Sequence, residues 1–478
     1  MTSFIGDLLG VATASGDKAA LIGSDRALSY GALVERVAQI AGALTRRGVG
    51  QGSVVGLSVA DEIDHMILTL ATLACGASQV TLATYETADL RARIAAQAGV
   101  THVVAESEAY RPAEAAEFML WDELADGGAP RRDWTGGVII LRTSGTTGGI
   151  KLIGLTDAQV ARQADDCGAG YERHIHTRAA SVEHNVSKRH ALYTLWAGGT
   201  MLFQPQGAVR LDLAYGRERG ATLLGIGHVH AMSLIASEWA EPLPDLQITL
   251  SGSIIPLALR QALQRKLGCT VRVLYGATEC GIVSLTEADG HEHDDVGPPA
   301  PGVEVEIVGP DGLPVEAGTT GELRVKCPGS AEGYLNAPED TAARFREGWF
   351  WPGDVGHMTA EGRLVVSGRK DDMITLSGMN IFPGELEEAL LAHPDVHMAA
   401  VVGLPSKVFG HIPVAAVELR SGAAASEAEL STYVREKLAL RAPRRIKIVP
   451  ALPRDAGGKI ARRDIPAIFL KEQVHLEH

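Results

Sequence analysis

A dense set of hydroxyl residues, glycines and one lysine follows the apolar run Val138–Ile140. Residues 141–151 read Leu-Arg-Thr-Ser-Gly-Thr-Thr-Gly-Gly-Ile-Lys. Glycines let backbone N–H groups approach an anion closely, while hydroxyls donate hydrogen bonds and lysine neutralises charge. The segment therefore predicts a loop that binds a polyphosphate, with a Gly/Ser/Thr-rich surface turn as the alternative. It is not the common nucleotidase loop, because Leu152 follows Lys151 where that loop has a hydroxyl residue.

Two more polar clusters come directly after predicted strands. Ser251-Gly252-Ser253 follows the strand predicted over Leu246–Leu250, and Tyr275-Gly276-Ala277-Thr278-Glu279 follows the next strand, one helix later. Open α/β sheets bind their ligands at the carboxyl ends of strands. An aromatic ring, hydroxyls and a carboxylate at that edge indicate a nucleotide site.

Alternating strand and helix patterns precede these clusters and must position them. The apolar spacing predicts helices over Asp61–Cys75 and Thr87–Gln97, and strands near Gln79–Leu82 and Thr101–Val104. The sequence thus predicts an α/β fold of layered sheets covered by helices in a large N-terminal domain. From Gly302 the pattern becomes β-rich and predicts a small β subdomain, and the last hundred residues predict a small α/β unit.

Length, charge and cysteine content exclude several classes of protein. A chain of 478 residues is long enough for two or three domains, and its formal charge of −14 argues against a nucleic-acid partner. Five widely spaced cysteines without a CxxC pair indicate neither a disulfide framework nor a zinc site, so we expect a reducing, cytoplasmic location. No signal peptide and no bilayer-length apolar run are found, so no membrane partner is expected. Residues 474–478 are interpreted as a tail that ends like an expression tag.

The loop and the Tyr-Gly-Ala-Thr-Glu segment resemble the signatures of the adenylate-forming superfamily, which comprises acyl-CoA synthetases, aryl-CoA ligases and the adenylation domains of peptide synthetases. The resemblance runs along nearly the full length of the chain. It departs where the family usually has Pro-Lys-Gly and this chain has Ile150-Lys151-Leu152. The resemblance is closest to standalone ligases of the acyl-CoA type, since Pro383 stands where amino-acid-activating domains usually carry an acidic residue.

The resemblance implies an ATP site with Mg²⁺. By it, Tyr275 stacks on adenine, Thr278 meets phosphate, Glu279 binds magnesium, Asp354 holds the ribose hydroxyls and Arg369 pairs with ribose or α-phosphate. Magnesium suits Glu279 because it binds through few carboxylates plus phosphate oxygens. The remaining ATP-binding residues implied are Thr143, Ser144, Gly145, Thr146, Thr147, Gly148, Lys151, Gly252, Ser253 and Gly276.

The resemblance also implies which residues bind the acid substrate. His184 aligns with a residue that guards the channel between the acid pocket and the phosphates, and it is assigned a catalytic role beside substrate binding. The other substrate-binding residues implied are Asn185, Lys188, His228, Gly252 and Gly276. Polar side chains here, with His230 nearby, would be left unpaired by a hydrocarbon acid, so we expect a polar or aromatic acid.

Alternatives remain open for several of these polar residues. Lys188 is expected either to meet a second negative charge on the acid or to point to solvent, and Arg189 and His190 either to serve the site or to form a solvated basic turn. The pairs His174/His176, His228/His230 and His291/His293 could bind zinc on a strand, but no third ligand has a recognisable spacing. The acidic segment from His291 to Asp295 is expected to be a mobile, solvated loop.

The family resemblance divides the chain into residues 1–370, which bind ATP and acid, and residues 371–473, a mobile domain. Lys459, in the turn Gly457-Gly458-Lys459, matches the catalytic lysine of that domain, and Asp371 matches the hinge. The small domain is expected to turn between two half-reactions, since Lys459 serves the first and a thiol needs its space in the second.

The resemblance implies an ATP-dependent, AMP-forming enzyme that converts a small carboxylic acid to acyl-AMP and then to a thioester. Coenzyme A is the favoured thiol. The alternatives are the phosphopantetheine of a separate carrier protein, another nucleophile, or a protein that only binds nucleotide. The last would be marked by loss of Lys459, Glu279 or Asp354, and all three are present.

Overall fold

The structure is a computed structural model of the 478-residue chain. It describes residues 3–112, 117–125, 129–144, 150–167, 170–205, 211–286, 294–376, 379–406, 410–454 and 460–470.

Helices and strands alternate through the first 286 residues. Those before the predicted phosphate loop are α1 (Phe4–Ala14), β1 (Ala19–Ile22), β2 (Ala27–Ser29), α2 (Tyr30–Arg46), β3 (Val54–Ser58), α3 (Glu62–Ala74), β4 (Ser78–Thr81), α4 (Ala88–Ala98), β5 (His102–Ala105), β6 (Glu117–Leu120), α5 (Trp121–Ala125) and β7 (Val138–Ser144). Those after it are β8 (Ile150–Thr156), α6 (Asp157–Cys167), β9 (Ile175–Arg178), α7 (Asn185–Trp196), β10 (Thr200–Leu202), α8 (Leu213–Glu218), β11 (Leu223–Ile226), α9 (His228–Ile235), β12 (Gln247–Ser251), α10 (Leu257–Leu267), β13 (Thr270–Ala277) and β14 (Gly281–Leu285).

Two sheets are built from these strands. The first has the order β14-β13-β12-β11-β9-β10-β1-β2, with parallel pairs from β13 to β1 and antiparallel pairs at both ends. The second has the order β6-β5-β3-β4-β7-β8 and is parallel except for the β7–β8 pair. Parallel strands with both faces covered are apolar, as in the buried strand β5. The largest apolar core lies among α2, α3, α7 and both sheets.

Strand pairs dominate the segment that follows. Its elements are β15 (Glu304–Val308), β16 (Gly321–Lys326), α11 (Pro338–Arg344), β17 (Phe345–Arg346), β18 (Trp349–Phe350), β19 (Asp354–Met358) and β20 (Leu364–Arg369). The final elements are β21 (Ile374–Leu376), β22 (Met379–Ile381), α12 (Pro383–Leu391), β23 (Val396–Ser406), β24 (Gly410–Leu419), α13 (Glu427–Leu438), β25 (Arg445–Ile448) and α14 (Pro466–Leu470).

The chain divides into two compact units. The first comprises residues 1–305 and 324–352, and the second comprises residues 306–323 and 353–478, so the division passes through β15 and β16. The second unit contains the sheet β22-β21-β24-β23 with β25 beside β24, and α12 and α13 cover the core of this sheet. The division of function at residue 370 stays a prediction.

The α/β class, the large N-terminal region, the β-rich segment and the small C-terminal α/β region are confirmed. Predicted element ends lie close to the observed ones, as for α3 and β12, and side-chain caps mark the starts of several helices. Asp61, for example, accepts from the Asp64 N–H and caps α3. None of the helices in the described part of the chain has the length and apolarity needed to cross a bilayer.

Candidate active site

Three predicted site segments meet at one edge of the first sheet. Strands β11, β12 and β13 are parallel neighbours, and β12 pairs Ser251 with Leu274 of β13. Their carboxyl ends therefore lie side by side, which brings His228, the Gly252–Ser253 turn and Tyr275 to a common edge. This is the edge at which open α/β sheets bind ligands.

The metal turn, which we define as residues Thr278–Gly281, joins β13 to β14. Gly276 lies opposite Ile282 in this hairpin, and a Cβ atom on Gly276 would lie 2.2 Å from the Gly281 carbonyl oxygen. Gly281 has φ +85°, a conformation that residues with a side chain rarely adopt. The two glycines are therefore required by the tight end of the hairpin.

Glu279, the predicted magnesium ligand, is only 9% exposed in this turn. Its Oε1 accepts a hydrogen bond of 2.9 Å from the Tyr334 hydroxyl, and its carbonyl oxygen accepts one of 2.8 Å from the Ala331 N–H. Burial and the nearby Glu279 charge raise the pKa of Tyr334 well above its ordinary value, so the phenol remains a donor. The sequence interpretation missed Tyr334, because no spacing pattern in the sequence indicates that this residue contacts the turn after β13.

Lys151 reaches the same tyrosine from β8. Its Nζ lies 5.3 Å from the centre of the Tyr334 ring and 2.6 Å from Asp340 Oδ1. Thr143 is buried on β7 and stands directly opposite Lys151 in the β7–β8 ladder. The structure thus brings Lys151, which pairs with Thr143 across the base of the predicted phosphate loop, to the residue that holds Glu279.

The interior of the phosphate loop lies outside the described residues, as does the predicted catalytic lysine. The predictions affected are those for Gly145, Thr146, Thr147, Gly148 and Lys459. The backbone of Ser144 pairs with Ile150 at the base of the loop. An antiparallel bridge between Arg454 and Ile460 flanks the segment that contains Lys459.

The predicted acid-binding residues His184 and Asn185 lie at the start of α7. The His184 ring stacks on Tyr85 with centroids 4.9 Å apart, and the Tyr85 hydroxyl lies 3.2 Å from His184 Nδ1. The Asn185 side-chain amide donates to the Arg142 carbonyl, directly before the phosphate loop. Tyr85 was missed by the sequence interpretation, although its position just beyond strand β4 is the kind of strand end that offers a signal.

Contacts of two buried carboxylates support this acid-side mouth, which we define as Tyr85, His184 and Asn185. Glu86 forms an ion pair with Arg142. Glu183 accepts from both the backbone N–H (2.6 Å) and the hydroxyl (2.9 Å) of Thr84. Burial raises the pKa of Glu183, and these hydrogen bonds oppose the shift by favouring its charged form. The segment that carries Tyr85 is thereby tied to the start of α7.

Lys188 lies one turn further along α7 and is 1% exposed. Its Nζ donates to Gln79 Oε1 at 3.3 Å and to the Thr81 hydroxyl, both on β4. Burial lowers the pKa of Lys188 to about 7, and the charge of Glu183 partly opposes this shift. The alternative that Lys188 points to solvent is therefore wrong. Its contact with a substrate charge stays a prediction, and these bonds weigh against it.

The alternative of a solvated turn is also wrong for Arg189 and His190, since both are buried in α7. His190 packs against His176 of β9, with ring centroids 5.7 Å apart. His176 Nδ1 lies 2.9 Å from the Thr194 hydroxyl, and burial lowers the pKa of both histidines well below the ordinary value. Neutral rings in this packed cluster serve the core between sheet and helix.

The predicted solvated loop at residues 291–295 needs a partial correction. His291 and His293 lie outside the described residues. Asp295 is buried, its Oδ1 accepts from the Gly297 N–H at 2.8 Å, and its carbonyl oxygen accepts from Arg260 at 2.7 Å. The end of the segment is therefore fixed, because a buried arginine needs those acceptors.

The second unit brings together Asp354, the predicted ribose ligand, and Arg369, which was predicted to pair with ribose or α-phosphate. Asp354 begins β19 and pairs in register with Arg369 at the end of β20, with 3.4 Å between Asp354 Oδ1 and Arg369 Nη1. Arg369 also lies 3.7 Å from Asp371, the predicted hinge residue. Arg369 Nε is buried without a hydrogen-bond acceptor in the described part of the chain. An unused buried donor beside a carboxylate is suited to a polar ligand.

The side chains available as metal ligands also indicate which metal ion the site could hold. Across residues for which side chains are described, no group of three or more His, Cys, Asp or Glu residues could hold a metal ion by itself. Glu279 alone offers one carboxylate, of which Oε1 already accepts from Tyr334. That set fits Mg²⁺ whose remaining ligands are ATP oxygens and water.

Comparison with known proteins agrees with this geometry. A model of the AMP-binding enzyme family matches residues 10–335, and a model of the AMP-binding enzyme C-terminal domain matches residues 385–459. The chain belongs to the AMP-binding enzyme family. It is an AMP-forming acid–thiol ligase of the adenylate-forming superfamily, a class whose cofactors are ATP and Mg²⁺ with coenzyme A as thiol acceptor.

Curated relatives of this chain are CoA ligases. It is 33% identical to 2-succinylbenzoate–CoA ligase of Geobacillus kaustophilus over 55% of this chain and 56% of that protein. It is 29% identical to 4-coumarate–CoA ligase-like 9 of Oryza sativa subsp. japonica over 96% of this chain and 91% of that protein.

Two solved structures share the fold along nearly the whole chain. One is the o-succinylbenzoate CoA synthetase of Bacillus subtilis in complex with its acyl-adenylate, with a TM-score of 0.88, 25% identity and coverage of 97% and 98% of the two chains. The other is the amide bond synthetase McbA of Marinactinospora thermotolerans, with a TM-score of 0.87, 25% identity and coverage of 98% and 100%.

Proposed function

We propose that the enzyme activates a small aromatic acid with a polar or anionic second substituent and transfers the acyl group to coenzyme A. The observation that carries this proposal is the acid-side mouth, where the Tyr85–His184 stack supplies aromatic surface and Asn185 supplies a polar amide. A hydrocarbon acid offers no hydrogen-bond partner to this amide or to the Tyr85 hydroxyl, whereas a polar substituent does. The uncharged amide of Asn185 disfavours an α-amino acid. Relatives named for 2-succinylbenzoate and 4-coumarate support an aromatic acid.

The first step forms acyl-AMP. The acid carboxylate attacks the α-phosphorus of ATP, a new P–O bond forms, and the bond to the bridging oxygen of pyrophosphate breaks. Lys151 and the loop hydroxyls meet the phosphates, and Lys459 stabilises charge that grows on the α-phosphate. Tyr275 supports the adenine, and Asp354 holds the ribose. The protein positions reactants and spreads charge, as in other phosphoryl and nucleotidyl transfers.

Glu279 is the proposed protein ligand of Mg²⁺ in this step. When bound, the ion neutralises charge on the ATP phosphates. The chain's own contribution is to hold one carboxylate rigidly, and the contacts of Glu279 with Tyr334 and Ala331 supply that rigidity.

The second step joins the acyl group to a thiol. The sulfur attacks the acyl carbon, a thioester forms, the mixed anhydride bond breaks and AMP leaves. We propose that residues 371–473 form the mobile part and that Asp371 is the hinge. Coenzyme A is supported by the CoA ligases among the relatives. A carrier-protein thiol is the second candidate, and an amine is the third, because an amide bond synthetase shares the fold over the whole chain.

The free cysteines support a reducing compartment. Cys75, Cys269 and Cys280 are buried and unpaired by disulfides, and Cys327 is partly buried. We propose the cytoplasm as the location.

An acid panel tests the proposed function. Pyrophosphate release is measured with ATP, Mg²⁺ and each of benzoate, octanoate, hydroxybenzoates, aminobenzoates and dicarboxylic aryl acids, followed by thioester detection after addition of coenzyme A. We expect the polar aryl acids to give the highest kcat/KM and to yield acyl-CoA. Better activation of octanoate or benzoate would overturn the assignment of the mouth. Acyl-AMP that accumulates without thioester would favour another acceptor.

A further inference from the structure

A buried chain of hydrogen bonds connects α6 and α7 to the metal turn. Arg189 Nε donates to the Tyr193 hydroxyl at 2.9 Å, and this hydroxyl donates to Gln163 Oε1 at 2.7 Å. Arg189 Nη1 also donates to the Thr278 carbonyl oxygen at 3.2 Å. Gln163 Nε2 donates to the Gly329 carbonyl oxygen at 2.8 Å. We call Gln163, Arg189 and Tyr193 the support triad.

The triad donates hydrogen bonds to both segments of the chain that hold Glu279. Thr278 directly precedes Glu279, and Gly329 lies two residues before Ala331, whose N–H binds the Glu279 carbonyl oxygen. Gln163 and Arg189 also fill the space above Gly281, since a Cβ there would lie 3.3 Å from Gln163 and 3.5 Å from Arg189. The turn therefore rests on the triad at its first residue, at its last residue and through its partner segment.

Burial restricts these side chains to their present hydrogen-bond partners. Tyr193 is 1% and Gln163 2% exposed, so neither group can exchange its partner for water. A buried polar atom that loses its partner costs about 1–3 kcal/mol, which penalises any shift of the turn relative to α6 and α7. Two members of the triad come from one face of α7, because Arg189 and Tyr193 are four residues apart in that helix.

We infer that the support triad is a set of positioning residues for the magnesium ligand Glu279, with Arg189 as the contact to the turn. This inference rests on the proposed role of Glu279. The triad touches neither acid nor ATP in this scheme. It fixes the backbone from which the carboxylate projects, so its loss should weaken Mg²⁺ use while leaving the acid-side mouth intact. Partners that orient a metal ligand typically contribute 10–100-fold to metal affinity or activity.

The test compares two buried hydroxyls on the same helix. Tyr193→Phe removes the central hydroxyl of the triad. Thr194→Val is the matched control, because its hydroxyl is also buried, donates to the His190 carbonyl oxygen at 2.7 Å and lies 2.9 Å from His176 Nδ1, and neither partner belongs to the metal turn. Arg189→Met is the stronger variant and Glu279→Gln is the reference. Each purified protein is assayed for the Mg²⁺ concentration that gives half-maximal pyrophosphate release, for the KM of the acid, and for melting temperature with and without MgATP.

We expect Tyr193→Phe and Arg189→Met to raise the half-maximal Mg²⁺ concentration about tenfold and to reduce the melting shift produced by MgATP, with the acid KM within twofold of wild type. Thr194→Val should change neither Mg²⁺ readout. Equal effects of Tyr193→Phe and Thr194→Val would overturn the inference, because they would show only loss of stability. If Glu279→Gln raises the Mg²⁺ requirement and Tyr193→Phe does not, the triad assignment fails alone. If Glu279→Gln leaves it unchanged, the metal assignment fails and the inference falls with it.

Discussion

The metal turn and the acid-side mouth lie in the same unit but are built differently. Glu279 is buried and is held through its carboxylate and its own carbonyl by one segment, residues 331–334, and through the preceding carbonyl by Arg189 of α7. In the mouth, Tyr85 is 45% exposed, and its contacts with His184 are a ring stack and a polar contact of 3.2 Å. A closed buried network preserves one geometry. An exposed mouth can change its side chains at little cost to the fold, so we expect reaction chemistry and acid selectivity to be separable here.

The largest expected effect comes from Lys459→Ala on the phosphate side. Only the first half-reaction develops charge at the α-phosphate, so acyl-AMP formation should fall about 10²–10³-fold while thioester formation from supplied acyl-AMP is retained. Pyrophosphate release and thioester yield measure the two steps separately. Equal losses in both would contradict the division of labour between half-reactions.

Asn185→Asp tests the mouth with a single added charge. The new carboxylate would lie against the Arg142 carbonyl oxygen that now accepts from the amide, and it would repel an anionic acid. We expect the KM for a dicarboxylic aryl acid to rise about tenfold, equivalent to ~1.4 kcal/mol, with the KM for ATP unchanged. Asn185→Ala is the control for loss of the amide alone. A parallel rise in both KM values would show that the two regions are coupled.

Lys188→Met distinguishes a substrate contact from a structural role. The folded pKa of about 7 lies below the ordinary value of 10.5, so the unfolded chain binds more protons between these two pH values. Stability should therefore rise with pH through this window, by at most about 1.4 kcal/mol per pH unit, and the cost of the buried charge is full below pH 7.

Denaturant unfolding at several pH values measures this slope, and the methionine variant should have a flatter profile from pH 7 to 10. Acid kinetics provide the second readout. A selective rise in the KM of the polar acid would support the substrate contact, whereas an unchanged KM would leave Lys188 as a residue that joins α7 to β4.

Tyr85→Phe should have the smallest effect. It removes one partly exposed hydrogen bond to His184 and keeps the ring stack, which corresponds to about 0.5–1 kcal/mol or a two- to fivefold rise in acid KM. Tyr85→Ala removes the stack as well and serves as the upper comparison. If phenylalanine and alanine are equally impaired, the hydroxyl rather than the ring shapes the mouth.

Much of the site could be predicted from sequence because strand ends are readable. Ser251 and Tyr275 follow apolar runs that were recognisable as strands, and parallel pairing then placed them at one edge. The Asp354–Arg369 pair followed from family motifs, and antiparallel pairing of β19 with β20 brings the two residues together.

What escaped prediction depends on packing between distant segments. The Tyr334–Glu279 bond joins residues 55 apart, and no local pattern encodes it. The predicted solvent exposure of polar residues in helix α7 was wrong for a different reason. Its run of polar side chains is typical of a solvated surface, but Lys188 bonds to one sheet and His190 packs against the other. Periodicity assumes that a polar face meets water, and it fails for a helix whose polar groups find partners inside the protein.

The bond between Gln163 and Gly329 has a consequence for synthesis of the chain, since its partners are 166 residues apart. At about 5–20 residues per second, roughly 10–30 s separate the appearance of the two ends. During the last 50 residues of that interval, from Glu279 to Gly329, the nascent chain contains the Tyr275–Glu279 signature but lacks Tyr334 and the segment that steadies it. The nucleotide site therefore matures late in translation, after both sheets of the first unit have their strands, and an abortive product that ends after β14 would carry the signature without its support.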